Sequence, residues 1–248
     1  MANAEFDGGG FDLAELKAQL RRDELKARAA DKVKNDLKGE HVLDELNYLY
    51  DREKIAAFVA LARTHYKLSE RVALHIIERI RCLAASGQTM PLLDGPLLCG
   101  KLVLATMASW DDSALVAEAG LAAVAVFARD TDESRRRLGR EFAPAAVLAA
   151  MRAHPTDGGV LRAGAHAVAL LLGDGCASNA ALLANEHADD VLRAIPSSLP
   201  PMPEHHVHIL RDANFFSRRA LDQLITTPAL GQMSFEEFAV RCRDREEE

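Results

Sequence analysis

Arg135-Arg-Arg-Leu-Gly-Arg-Glu-Phe-Ala-Pro-Ala-Ala-Val-Leu-Ala-Ala-Met-Arg-Ala-His-Pro155, followed by residues 160–172 from Val160 to Leu172, decides how this chain is read. Alanine and leucine dominate both parts, and Asp157-Gly158-Gly159 and Gly173-Asp174-Gly175 punctuate the second with residues that break helices. The pattern is helical. It also recurs at an offset of 44 residues: Val72, Val116 and Val160 stand in register, as do Ile80, Val124 and Val168, and Leu83, Phe127 and Leu171. Val103-Leu104, Val147-Leu148 and Val191-Leu192 align further on, followed by Met107, Met151 and Ile195. Alanine matches carry little weight in an alanine-rich chain. Aliphatic and aromatic positions that return at one offset mark a repeat.

In the middle unit the pattern predicts one helix from about Ser113 to Ala128 and another from about Ala143 to Ala153. A short polar helix, Ser134 to Arg140, lies between them. A unit of this size cannot bury its apolar face alone, so neighbours must stack into one core. The expected fold is all-α: a short α-solenoid of about three 44-residue repeats.

Outward from the repeats, Glu40 to Tyr66 carries Val42, Leu43, Leu46, Leu49, Ile55, Phe58, Val59 and Ala62 on one side of a helix pair, expected to cap one end. Before it, Phe11 to Lys38 reads as a charged helical arm that Gly39 stops or kinks. Pro196, Pro200, Pro201 and Pro203 mark a boundary, because each removes a helix donor. The expected organisation is a flexible tail over 1–10, a charged helical arm over 11–39, the solenoid over 40–198, and a Pro-rich connection with C-terminal helices over 199–248.

The stretch that opens this section is similar to an armadillo repeat, with its short first helix, second helix and long third helix. The likeness spans about Val72 to Ile195 and is clearest from Val116 onward. It implies that the third helices line a groove holding extended peptides or partner helices. In that family a repeated asparagine pairs with the peptide backbone, whereas Val126 and Leu170 occupy the matching positions here. That departure favours an apolar or shape-based contact, or a groove filled by another part of this chain. One and two turns earlier lie Ala122 and Glu118, and His166 and Arg162. Glu118, Ala122, Val126, Arg162, His166 and Leu170 are the expected partner-binding residues.

Composition narrows the function. With 248 residues, 49% of them hydrophobic, the chain can bury a real core. A net charge of −7 argues against a general nucleic-acid binder, which needs cations to displace counterions from phosphate. No run of apolar residues approaches a membrane span, and the first residues have no targeting pattern. Cys82, Cys99, Cys176 and Cys242 lie far apart, as suits reduced thiols in a cytoplasmic protein.

Two calcium-like spacings fail on inspection. Asp130, Asp132, Ser134 and Glu141 have oxygen-ligand spacing, but Arg135 stands where the loop needs glycine. Gly231 to Phe238 resembles the end of an EF-hand, yet Thr226, Pro228 and Leu230 offer little carboxylate oxygen at the early ligand positions; Ser234 with Glu237 reads as a capping box. Glu204, His205, His206 and His208 form the one dense imidazole cluster, without the spacing of a helical metal pair. No phosphate loop, nucleophile elbow or metalloprotease helix is present. The expectation is a non-catalytic adaptor or scaffold with a protein partner, no cofactor and no metal. A structural subunit of a larger assembly is the main alternative, and a metal-dependent regulator or enzyme centred on the histidines is the lesser one.

Overall fold

The computed structural model describes residues 38–51, 53–87, 90–95, 98–173, 176–198 and 207–226. The expected tail, almost all of the charged arm, Glu204 to His206, the side chain of His208, Cys242 and the capping box at Ser234 lie outside the described residues. Within them there are twelve helices and no strand.

A helix over 38–51, α1, is followed by α2 (Ile55–His65) and α3 (Glu70–Ala85). Three further sets come next: α4 (Met90–Asp94), α5 (Cys99–Ser109) and α6 (Ala114–Asp130); α7 (Asp132–Arg140), α8 (Ala143–Ala153) and α9 (Gly158–Leu172); α10 (Ala177–Asn185), α11 (Ala188–Ser198) and α12 (Val207–Thr226). The third helices pack side by side, α6 between α3 and α9, and α9 between α6 and α12. Behind each lies its own second helix: α5 against α6, α8 against α9 and α11 against α12.

The same local chemistry starts α3, α6 and α9. The side chains of Ser69, Ser113 and Asp157 accept hydrogen bonds from the backbone N–H groups of Val72, Val116 and Val160, satisfying one orphan donor at each helix start. The valine register in the sequence thus follows the cap. Asp157 also explains why Gly158 and Gly159, expected to lie in a loop, form the first turn of α9 instead.

A second recurring joint precedes each second helix. Among the described residues, the non-glycine positions with left-handed backbone are Glu53 (φ 54°), Leu98 (φ 43°), Phe142 (φ 62°) and His187 (φ 52°). They are spaced 45, 44 and 45 residues apart, so the turn between first and second helices is built the same way four times.

The core is continuous through these sets, from Leu46 and Phe58 through Ile76, Ile80, Val103, Leu121, Phe127, Leu148, Val168 and Leu171 to Leu192 and Ile195. Third and second helices approach closely where glycine meets methionine. A Cβ added at Gly164 would stand 2.5 Å from Met151 Cγ, and one at Gly120 would collide with Met107 in the same manner. Both pairs share the 44-residue register.

Polar bonds between sets keep the same offset. Trp110 Nε1 donates to the Tyr66 carbonyl at 2.9 Å, His154 Nε2 to the Asp111 carbonyl at 3.0 Å, and Asn179 Nδ2 to the Arg135 carbonyl at 3.0 Å. Ser113 Oγ donates to the Glu70 carboxylate. Partners in these pairs are 43 or 44 residues apart.

One expectation is corrected. Gly39 does not stop a helix: it lies inside α1, buried, where an added Cβ would approach Ser69 Oγ at 3.3 Å and Val72 at 3.6 Å. Its missing side chain lets α1 lie close to the start of α3. α12 stands to α9 and α11 as α9 stands to α6 and α8.

Candidate functional site

Helices that are flanked by neighbours on both sides and backed by a second helix can open to solvent along one line only. This is what α6 and α9 do. From Val116 to Ala128, every residue is buried except Glu118, Ala122 and Val126; from Val160 to Leu172, every residue is buried except Arg162, His166 and Leu170. These half-buried residues are the six that the sequence singled out, and the four-residue spacing places each triplet on one face of its helix.

The two triplets are linked. Arg162 on α9 donates to Glu118 on α6 at 3.1 Å, with both side chains a little under two-fifths exposed, so solvent screens the pair and it adds little stability. Gly159 makes room for it, since a Cβ there would collide with the Glu118 carboxylate. Arg162 Nε is buried and makes no hydrogen bond among the described residues.

On the other side of α9, the ring of His166 stacks on that of Phe216 in α12, with centroids 4.2 Å apart and planes 24° from parallel. Burial, then Arg162, Arg129 and Arg219 in decreasing order, hold the His166 imidazole below its ordinary pKa. The three charges that lower it are all arginines. Arg129 continues the line of Glu118, Ala122 and Val126 at the end of α6, and Arg219 follows Phe216 by one turn on α12. Both are exposed. Beside them, Phe215, Arg218, Arg219, Asp222 and Gln223 line an open hollow on α12.

Arg129, Phe216 and Arg219 were not singled out by sequence. Arg129 was within reach of the periodicity, three residues after Val126. Phe216 and Arg219 were not: His166 meets Phe216 at an offset of 50 residues, outside the 44-residue register.

Elsewhere, the calcium-like spacing is occupied by helix. Asp130 ends α6, the Thr131 side chain accepts from the Ser134 N–H at 3.0 Å, and Arg135 bonds the Asp132 carboxylate. Thr131, rather than either aspartate, caps α7. Among the described residues Cys82, Cys99 and Cys176 form no disulfide. No described helix is long and apolar enough to cross a membrane.

These features define an all-helical protein with a repeated three-helix arrangement and one open face across its third helices. No family model, curated protein or solved structure matches the chain. The armadillo resemblance therefore rests on the repeat itself.

Proposed function

We propose that the chain is a non-catalytic interaction scaffold, a short α-solenoid of armadillo type whose third helices offer a groove to a peptide or helix of a partner protein. The observation that carries this reading is the half-buried line shared by α6 and α9, at equivalent positions, along stretches (Val116 to Ala128 and Val160 to Leu172) that are otherwise buried. Buried helices are fixed by packing; their one open line is free to vary toward a ligand. The 43- and 44-residue spacing of the bonds between sets supports the solenoid.

The test is partner capture with the full chain and with Ala122→Trp, which adds bulk to the middle of the line without removing a core residue. Proteins that bind the unaltered chain and are lost from the variant, at unchanged helix content and Tm, support the groove. Capture indifferent to Ala122→Trp removes it.

A second reading, a subunit held in a larger assembly, is favoured by apolar residues outside this line: Phe142 is 70% exposed and Leu115 61%. Light scattering separates the two. A monomer at all concentrations supports the scaffold, and concentration-dependent association supports the embedded subunit.

A further inference from the structure

We propose that the face formed by α6, α9 and α12 is a cationic docking surface for an acidic, amphipathic segment of a partner protein. Arg129 and Arg219 take its carboxylates, and Val126, Leu170 and Phe216 take its apolar side chains. The proposal rests on the groove reading and names the chemistry of the occupant.

The chain as a whole is acidic, with a net charge of −7. Its open face is not. Glu118 is the only carboxylate among the six line residues, and Arg162 already takes it at 3.1 Å. Arg129 stands one turn past Val126 on α6, Arg162 one turn before His166 on α9, and Arg219 one turn past Phe216, whose ring stacks on His166. Asp222, in the hollow beside Arg219, is outnumbered there by Arg218 and Arg219. Like charges gathered on one surface repel each other, and an incoming anion relieves that repulsion. A lone exposed arginine needs no partner; a group spread over three helices along the one open line is a different matter.

The apolar members fix the rest of the occupant. Val126 and Leu170 stand at equivalent positions and Phe216 is half-buried beside His166. Guanidinium groups bordering an apolar strip match a helix that carries aliphatic residues on one face and carboxylates at its margins. A long polyanion such as a nucleic acid fits less well. Its phosphates extend far beyond a few arginines and would run over the acidic remainder of the surface.

The experiment is fluorescence anisotropy of the full chain with a labelled peptide of Glu and Leu at helical spacing, and with its counterpart carrying Lys for Glu. The Glu peptide should bind with an affinity that falls as salt is raised, and the Lys peptide should not. Arg129→Glu/Arg219→Glu should weaken the Glu peptide by tenfold or more, about what two exposed ion pairs supply. Arg129→Gln/Arg219→Gln should weaken it less, and it keeps the test valid if charge reversal disturbs folding. Equal binding of both peptides, no effect of the arginine variants, or tighter binding of a single-stranded oligonucleotide would each overturn the proposal. If both peptides bind alike but Ala122→Trp abolishes both, the groove stands and only its charge preference falls. If neither peptide binds, the docking chemistry is wrong, and the capture experiment decides the groove separately.

Discussion

His166 and His75 both sit where burial and arginines favour the neutral ring: Arg162, Arg129 and Arg219 act on the first, Arg79 and Arg71 on the second. In the unfolded chain each titrates near its ordinary value of about 6.5. Between that value and the lower folded one, the unfolded state binds more protons, so stability rises with pH there. The contribution is complete above about pH 6.5 and is lost as pH falls through the folded pKa. Tm should therefore drop between pH 7.5 and pH 5.5, and His166→Gln should flatten part of that drop; an unchanged slope in the variant would show that the ring does not carry it. Asn179 offers a second single-residue test. It is fully buried, and its Nδ2 donates to the carbonyls of Arg135 and Leu171 at 3.0 and 2.9 Å, tying α10 to α7 and to the end of α9. Asn179→Leu leaves both carbonyls without that donor and should cost about 1–3 kcal/mol in chemical denaturation.

At the scale of the helix, glycine has the same use in α1 and α9. Gly39 admits α3, and Gly164 admits Met151 from α8. Gly164→Val should destabilise by about 1–3 kcal/mol, because the branched side chain meets Met151 near its root rather than at its flexible end. The double variant Gly164→Val/Met151→Ala should recover part of the loss; additive losses would mean that the two residues do not share the space. Helix boundaries were readable where capping and periodicity agreed, as for α6, predicted from about Ser113 and found to start at Ala114 with Ser113 as its cap. They were not readable at the joints. Glu53, Leu98, Phe142 and His187 share a left-handed backbone but no chemistry, so nothing in their side chains announces the turn. Gly39 misled for the complementary reason: its helix-breaking tendency, about 1 kcal/mol, is outweighed by the packing it permits.

At the scale of the molecule, the repeat was legible because stacking forces aliphatic residues back into the same register, and the six line residues were legible because they inherit it. The third helix of the last set escaped notice because its contacts leave the 44-residue offset: His166 meets Phe216, and Gly173 meets Gln223, 50 residues on. The first set keeps the register at Val72, Ile80 and Leu83 but lacks the glycine–methionine pair, since Ile76 and Arg63 stand where Gly120 and Met107, and Gly164 and Met151, stand later. Bonds between neighbouring sets make stability the sum of units and their junctions. Truncation before α10 should therefore expose the flank of α9 and lower Tm, measured by circular dichroism, without abolishing the helices of the earlier sets; complete loss of helix would show that the sets do not stack semi-independently.

The left-handed joints at Glu53, Leu98, Phe142 and His187 make the chain a modular material. Each joint turns the backbone into the left-handed region 44 or 45 residues after the one before it. Duplicating the block from Phe142 to His187 should therefore extend the stack by one set and lengthen its open line by one triplet.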